Sequence, residues 1–265
     1  MNQARIAAAE PDVRLARDLA LRAGALLLDL RARACGDDRL TGRELGDAGD
    51  AQANALLLAA LAAERPDDRV LSEESTDDLR RLRASRVWII DPLDGTREFR
   101  EGRDDWAVHV ALVAGGQVIA AAVSQPARGD VFDSMPPMGG ADAGAAGAAG
   151  ARRIVISRSR PPRFAQAVAD AVDATLWPVG SAGAKALTVV RGEALAYVHD
   201  GGMNEWDAAA PVGVALARGL HVSDLRGEPI AFNQRDVVLH QGLVICRPEL
   251  ARTVLQITSA ASRSG

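Results

Sequence analysis

The chain has 265 residues, 48% hydrophobic and 25% charged, so it can bury a sizeable core in one large domain or two packed halves. Its net charge of -4 lacks the basic footprint of a nucleic-acid binder, but it permits a small anionic substrate, because bound divalent cations would reverse the local sign. Two cysteines, Cys35 and Cys246, cannot form a disulfide framework, residues 1–11 carry no secretory pattern, and no apolar run could span a bilayer. We therefore expect a cytoplasmic protein with no membrane partner and no nucleic-acid partner.

The first half of the chain begins with helical patterns. Apolar residues at helical spacing predict a helix over residues 12–34, with Asp12 as its N-cap. A polar turn over residues 36–49 separates it from a second predicted helix over 50–64. Short apolar and β-rich runs follow, and the glycine pair at 115–116 indicates a hairpin between the last two. These runs are residues 70–71, 87–90, 107–113 and 117–124.

A stretch of almost only glycine and alanine, residues 139–151, predicts a flexible surface loop. It separates an N-terminal half, 1–138, from a C-terminal half, 152–265. In the second half, strand and helix patterns alternate, which favours an α/β fold with layered elements. In chain order they are a strand at 153–156, a helix at 161–172, a helix from the turn at 180–183 to about Arg191, a strand at 194–198, a helix at 207–218, a strand at 243–246 and a helix from Pro248.

Residues 91–96, with the sequence Asp-Pro-Leu-Asp-Gly-Thr, directly follow the apolar run 87–90. Ligands bind at strand ends in layered sheets, so Asp91 emerges at a candidate site. The carboxylates of Asp91 and Asp94 would repel each other unless a cation lay between them, and Mg²⁺ prefers hard oxygen ligands. A helix beginning at Thr96 would offer free N–H groups to a phosphate. The alternative is a helix cap with a turn, since these are common turn residues.

The hexapeptide resembles the signature of the inositol monophosphatase superfamily of magnesium-dependent phosphatases. That superfamily also has an upstream Glu-Glu and a downstream Trp-Asp-x-Ala-Ala, and this chain has both, at residues 73–74 and 206–210. The resemblance extends over essentially the whole chain. It implies a layered sugar-phosphatase fold, an αβαβα sandwich of two closely packed halves. It also implies a homodimer, because many members of the superfamily are dimers.

The resemblance further assigns roles to individual residues. The implied metal ligands are Glu73, Asp91, the carbonyl group of Leu93, Asp94 and Asp207. They would hold two Mg²⁺ ions, and some relatives hold a third. Gly95 and Thr96 would bind the substrate phosphate through backbone N–H groups, with Asp94 and Asp207 beside it. The Thr96 hydroxyl would orient the attacking water.

One segment departs from the superfamily pattern. Residues 44–50 read Glu-Leu-Gly-Asp-Ala-Gly-Asp where relatives have Asp-x-Val-Thr-x-x-Asp. Glu44 falls at the position of the first acid and Asp47 at that of the threonine, two residues that help to activate water in relatives. Both are candidate catalytic residues, and the sequence does not decide between them. The alternative that both are solvated loop charges stays open.

The residues beyond the hexapeptide resemble those of 3′(2′),5′-bisphosphate nucleotidases of the CysQ type. Residues 97–99, Arg-Glu-Phe, are similar to their Lys-Glu-Phe, and residues 157–160, Ser-Arg-Ser-Arg, to their Ser-Arg-Ser-His, although a polar turn would look the same. Lys185 is the only lysine in the sequence, and a compact ammonium site would not accept arginine. Residues 197–199, Tyr-Val-His, depart from the Tyr-Pro-Arg of many relatives. The candidate substrate contacts are Arg97, Ser157, Arg158 and Lys185.

These resemblances predict hydrolysis of the 3′-phosphate of 3′-phosphoadenosine 5′-phosphate to AMP and phosphate, a reaction linked to sulfur assimilation. Inositol monophosphate or fructose 1,6-bisphosphate on the same metal centre remains an alternative substrate. A non-catalytic nucleotide-binding regulator is the alternative from another class. A haloacid-dehalogenase phosphatase is excluded, because its two acids are separated by one residue and Asp91 and Asp94 are separated by two.

Overall fold

The computed structural model describes residues 3–37, 40, 42–136 and 152–262, so the loop predicted at 139–151 lies outside the described residues. The helices are α1 (Gln3–Asp37), α2 (Gly42–Glu64), α3 (Thr96–Arg100), α4 (Ala165–Ala171), α5 (Ala182–Val190), α6 (Glu205–Ala217) and α7 (Ala251–Ala261). The strands are β1 (Arg69–Ser72), β2 (Val87–Asp94), β3 (Ala107–Ala114), β4 (Gln117–Gln125), β5 (Asp130–Asp133), β6 (Arg153–Ser157), β7 (Thr175–Val179), β8 (Ala196–His199), β9 (Met203–Asn204), β10 (His221–Ser223), β11 (Val238–Leu239) and β12 (Leu243–Cys246). Among the described helices, none combines the length and the apolar character needed to cross a membrane.

Two five-stranded sheets organise the described chain. The first has the order β1-β2-β3-β4-β5 and is antiparallel except for the parallel pair β1 and β2. The second has the order β10-β12-β8-β6-β7, in which β6 runs parallel to both neighbours. A short antiparallel pair, β9 and β11, lies next to the start of α6.

Both sheets are covered on both faces, which explains their continuous apolar strands. Successive side chains of β2 point to opposite faces, so Trp88 and Ile90 pack with α1 and α2 while Val87 and Ile89 pack with α5 and α6. The second sheet repeats this arrangement, with Val155 facing α5 and α6 and other side chains facing α4 and α7. The order of layers is therefore helix, sheet, helix, sheet, helix, and the predicted αβαβα sandwich is confirmed.

Two helix starts differ from the sequence prediction. The first helix begins at Gln3, and Asp12 lies inside it, so the predicted N-cap is wrong. The buried Asp12 carboxylate instead accepts hydrogen bonds from Arg65 at 2.9 Å and Arg86 at 3.0 Å. The second helix begins at Gly42, eight residues before the prediction, because the buried face of α2 continues back to Leu45.

The sequence did not predict the start of α2, because the glycines in this segment have a low intrinsic helix propensity. Tertiary contacts require them: a Cβ at Gly46 would lie 2.8 Å from Thr96 Cγ2, and one at Gly49 would lie 3.0 Å from Leu93 Cδ2. The start of α2 therefore passes closely over the hexapeptide. Smaller corrections are a shorter α4, an α6 that begins at Glu205, and a 3₁₀ turn at Pro248–Leu250 before α7.

Candidate metal centre

A bulge in β2 brings two of the predicted ligands to the same side of the sheet. Asp91 pairs with His109 and Asp94 with Ala107, so three steps along β2 match two steps along β3. Side chains three positions apart on a regular strand point to opposite faces, and one extra residue cancels that difference. Leu93, inside the bulge, donates its N–H to Asp91 Oδ1 at 3.1 Å. The bulge thus explains the spacing of the two carboxylates.

The third carboxylate comes from the first turn of α6. Asp207 Oδ2 accepts a hydrogen bond from the Asn204 N–H at 2.7 Å, which fixes the side chain in a capping box. One carboxylate oxygen from each of Asp91, Asp94 and Asp207 lies within 4.8 Å of the others. Glu73 follows β1, whose parallel pairing with β2 brings both strand ends to the same edge. Glu73 is not part of this tight cluster and is exposed.

The electrostatics of the cluster indicate that a cation belongs there. Burial, followed by the charges of Glu73, Asp94 and Asp207, raises the pKa of Asp91 well above its usual value. Burial and the charge of Asp94 raise the pKa of Asp207 to about 6. Desolvation of the Glu73 carboxyl group, although the residue as a whole is exposed, and the charge of Asp207 raise its pKa to about 7. Asp91 Oδ2 is buried without a hydrogen-bond partner. A hard divalent cation fits this all-oxygen set.

Asp94 differs from its neighbours because donors surround one of its oxygens. Burial acts to raise its pKa, but His109, Lys185 and Ser181 outweigh burial and lower the pKa to about 2. Asp94 Oδ2 accepts hydrogen bonds from the Ser181 hydroxyl and, at 2.8 Å, from the Gly183 N–H. His109 Nε2 lies 3.1 Å from the same oxygen. Asp94 is therefore held as a carboxylate in the folded protein.

Lys185 is buried at the start of α5 rather than open to solvent. Its ammonium donates to the carbonyl groups of Gly180 and, at 2.9 Å, Ser181, and it lies 5.3 Å from the centre of the Tyr197 ring. Burial lowers its pKa to about 8. The structure thus places the ammonium within the turn that holds Asp94. A contact between Lys185 and substrate remains a prediction.

Two of the other predicted substrate contacts, Ser157 and Arg158, lie at the end of β6 and in the turn that follows it. Arg158 donates to Glu98 Oε1 at 2.7 Å and to Asp105, whose carboxylate also accepts from the Gly180 N–H at 2.8 Å. Ser157 Oγ accepts from the Arg160 N–H at 3.2 Å and so closes the 157–160 turn. Arg158 is therefore linked to the turn that holds Asp94.

Arg97 lies apart from this network. It is exposed on α3 and pairs with Glu101 at 3.1 Å, one helical turn along. The structure does not bring Arg97 into contact with the carboxylate cluster, so a role for it in substrate binding remains a prediction.

Asp50 is a candidate that the sequence reasoning did not select. Glu44 and Asp47 are exposed on α2, whereas Asp50 is half-buried and interacts with the Thr96 side chain, whose hydroxyl donates to the Leu93 carbonyl oxygen at 3.2 Å. Burial and the charges of Glu74 and Glu73 raise the pKa of Asp50 to about 8. The signal that could have found it is the last acid of the Asp-x-Val-Thr-x-x-Asp pattern, which aligns with Asp50.

Comparisons with known proteins show which family and fold this chain resembles. The family model described as the inositol monophosphatase family matches residues 9–262. A 3′-phosphoadenosine 5′-phosphate phosphatase of Mycobacterium leprae is 49% identical over 257 residues, covering 93% of this chain and 93% of that protein. The 3′(2′),5′-bisphosphate nucleotidase CysQ of Escherichia coli K12 is 31% identical over 208 residues, covering 74% of this chain and 82% of that protein. The crystal structure of CysQ from Bacteroides thetaiotaomicron matches with a TM-score of 0.72 at 25% identity, covering 89% of this chain and 97% of that chain.

Proposed function

Because the chain belongs to the inositol monophosphatase family, we propose that it is a phosphatase that converts 3′-phosphoadenosine 5′-phosphate to AMP and phosphate. One observation carries this proposal: Asp91, Asp94 and Asp207 form a tight carboxylate cluster in a chain 49% identical to a 3′-phosphoadenosine 5′-phosphate phosphatase. A non-catalytic relative would have no reason to keep buried like charges together. The reaction would connect the enzyme to sulfur assimilation, as the name CysQ of its relatives suggests.

The family is metal-dependent, and the oxygen donors of the cluster suit Mg²⁺. We propose two ions, with a third as in some relatives. Their ligands would be Glu73, Asp91, the Leu93 carbonyl group, Asp94 and Asp207. When bound, such ions lower the pKa of water and neutralise charge on a phosphoryl group.

The residues of the chain would orient the reactants. The Thr96 hydroxyl and the Asp50 carboxyl group would accept hydrogen bonds from the attacking water, with Glu44 and Asp47, nearer the start of α2, as the alternative acids. The N–H groups of Gly95 and Thr96 would hold the phosphate oxygens, with Asp94 and Asp207 beside them. The water oxygen bonds to phosphorus, the bond between phosphorus and the ribose 3′-oxygen breaks, and that oxygen takes up a proton.

The second phosphate of the nucleotide requires cationic partners. We propose Arg158, supported by Ser157, as the main contact, because its guanidinium group remains partly exposed between two carboxylates. Arg97 would contribute from the surface of α3. Lys185 would act through the Gly180–Ser181 turn, since its ammonium is bound to the carbonyl groups of that turn.

Phosphate release from three substrates tests the assignment. We expect 3′-phosphoadenosine 5′-phosphate to have the highest kcat/KM, well above inositol 1-phosphate and fructose 1,6-bisphosphate, and EDTA to abolish all activity. Equal or better turnover of inositol 1-phosphate would contradict the substrate. Full activity in an Asp94→Asn variant would contradict the catalytic centre and support a binding role.

We also propose a cytoplasmic homodimer. Cys246 is a buried free thiol, which a reducing compartment maintains. We propose the dimer because many members of the superfamily are dimers. Light scattering coupled to size-exclusion chromatography tests it directly. A monomeric mass at micromolar concentration would contradict it.

A further inference from the structure

His109 is a polar side chain inside an apolar strand of the first sheet. It is fully buried in β3, and the residues on either side of it, Val108 and Val110, belong to the core. A buried imidazole needs hydrogen-bond partners, because an unpaired polar group in the core is costly. Its partners lie at the carboxylate cluster, on two different segments of the chain.

The two ring nitrogens of His109 face two acceptors. Nδ1 lies 3.0 Å from the carbonyl oxygen of Trp206, the residue directly before Asp207. A carbonyl oxygen can only accept, so Nδ1 carries a hydrogen and donates it. Nε2 lies 3.1 Å from Asp94 Oδ2, a carboxylate oxygen that already accepts from Gly183. Nδ1 is therefore a hydrogen-bond donor, whereas Nε2 makes a close ion-pair contact with Asp94 Oδ2 but no hydrogen bond of its own.

This geometry makes the imidazole a bridge between two segments that carry candidate ligands. One end holds Asp94 on β2, and the other holds the peptide group that leads into Asp207 on α6. Two donors, the Ser181 hydroxyl and the Gly183 N–H, bind Asp94 Oδ2, and His109 Nε2 lies 3.1 Å from the same oxygen. Among the described residues, Asp94 Oδ1 is then the oxygen left for a cation.

We propose that His109 is a positioning residue that fixes the separation of Asp94 and Asp207 and directs Asp94 Oδ1 toward the metal. The inference deepens the proposed function and rests on it for the identity of the metal. The residue of α5 that faces the imidazole is a glycine, and a Cβ at this Gly183 would lie 2.1 Å from His109 Nε2. Only glycine at this position lets α5 approach the imidazole so closely.

Two substitutions separate the two contacts. The amide nitrogen of Asn occupies roughly the position of Nδ1, and that of Gln roughly the position of Nε2, so His109→Asn keeps the donor to Trp206 and His109→Gln keeps a nitrogen beside Asp94. We expect His109→Asn to weaken Mg²⁺ binding about 10- to 100-fold, the usual effect of losing a partner of a metal ligand. We expect His109→Gln to stay within about fivefold of the wild type, because it retains that partner.

Mg²⁺ binding is measured by isothermal titration calorimetry on the full chain without substrate, beside urea unfolding in EDTA. If the enzyme hydrolyses a different phosphate ester, the measured Mg²⁺ affinities still test the role of His109. If the wild type binds no Mg²⁺, the proposed function itself is contradicted. His221→Asn is the matched control, since His221 bonds Ser223 at 2.9 Å on β10, and we expect unchanged Mg²⁺ binding.

An unchanged Mg²⁺ dissociation constant in His109→Asn, with lower stability in EDTA, would overturn the inference and leave a purely structural histidine. If the His109 variants do not fold, Ser181→Ala provides the second test. It removes a donor to Asp94 Oδ2, and we expect weaker Mg²⁺ binding. Mg²⁺ binding by Ser181→Ala that equals the wild type would count against the positioning of Asp94 through Oδ2.

Discussion

Asp91 combines full burial with a carboxylate oxygen that has no hydrogen-bond partner, and three further carboxylates add negative charge around it. Such a cluster opposes folding unless protons or a cation neutralise it. His109 and Lys185 neutralise part of the charge, mainly at Asp94. The buried acids around Asp91 therefore favour binding of a cation to the folded protein.

The stability of the metal-free protein should fall as pH rises. The folded-state pKa values of Asp207, about 6, and Asp50, about 8, lie above their unfolded value near 4. The stability that these groups contribute is complete below about pH 4 and is lost as pH rises through 6 to 8. We expect Tm in EDTA to drop by about 3 °C or more between pH 5 and pH 9. Saturating Mg²⁺ should reduce that drop, and a Tm in EDTA that rises over this range would contradict the burial of these acids.

Neutralising one acid should stabilise the metal-free protein and remove its response to metal. In Asp91→Asn the amide oxygen can still accept from Leu93, while the free-energy cost of burying an ionisable carboxyl group among other acids disappears. We expect Tm in EDTA to rise by about 2–4 °C, as a gain near 1 kcal/mol would give, with the Mg²⁺-dependent increase lost. Asp236→Asn, at an exposed acid paired with His240, is the control and should change neither value. A lower Tm in EDTA for Asp91→Asn would argue against electrostatic strain at the cluster.

At the scale of elements, the close contact between α2 and residues 91–96 both packs the helix and places candidate catalytic side chains. Gly46 and Gly49 let α2 pass over Thr96 and Leu93 at distances that a side chain would prevent. Asp50 lies one turn beyond Gly46, so this close approach brings its carboxylate to Thr96. The start of α2 is therefore a positioning element for the candidate water-binding pair.

Substitution of Gly46 by Ala should separate the two elements. The new Cβ would lie 2.8 Å from Thr96 Cγ2, so α2 must shift and move Asp50 away. We expect kcat to fall about tenfold with little change in KM, since a small misplacement weakens orientation of the water more than substrate binding. Gly24→Ala is the matched control, because its Cβ would lie 2.6 Å from Pro126 Cγ, at a distance from Thr96. It should lower Tm but not kcat; equal kcat losses in both variants would assign the effect to general destabilisation.

The sequence predicted helices and strands well where the buried residues recur with the period of the element. It predicted them poorly where contacts with distant segments determine the conformation. The hairpin at 115–116 was found because both glycines need positive φ, 57° and 75° in the structure. The edge strand β7 was missed because Pro178 and partial exposure hide its pattern. The family and fold were predictable because residues 91–96, the Glu-Glu pair at 73–74 and the segment 206–210 resemble three motifs of the inositol monophosphatase superfamily. Family membership is confirmed by the match over residues 9–262.

The sequence did not reveal His109 or Asp50 as site residues. A histidine inside an apolar strand has the same pattern whether its partner is a core carbonyl group or a carboxylate. Asp50 was overlooked because it was predicted only as the first residue of the second helix, after a turn over 36–49, whereas the earlier start of α2 brings it to Thr96. Both roles depend on contacts between segments distant along the chain, which periodicity cannot report.

At the scale of the whole molecule, the two predicted halves share their largest core. One hydrophobic cluster includes Val87 and Ile89 of the first sheet together with Leu187 of α5 and Tyr197 of the second sheet. The buried Arg81, near β1, bonds Asn233 at 2.8 Å and the Gln234 carbonyl group at 2.9 Å. The carboxylate cluster itself also spans both halves. We therefore propose that 1–138 and 152–265 form one cooperative unit.

Tryptophan fluorescence can test this cooperativity, because each half has two tryptophans. Variants that retain only Trp88 or only Trp177 should report urea transitions with the same midpoint, since a shared core links both sheets. Midpoints that differ by more than about 0.5 M would indicate halves that unfold separately. Circular dichroism of each variant provides the control for changes caused by the substitutions.

The burial of Lys185 also gives the protein an unusual chemical property. As the only lysine of the chain, it carries the one side-chain amine, and that amine is buried and hydrogen-bonded in the native state. Acylating reagents should therefore leave Lys185 unmodified in the folded enzyme and label it after denaturation. The peptide that contains Lys185 would then act as a single-site reporter of unfolding, readable by mass spectrometry without any engineered probe.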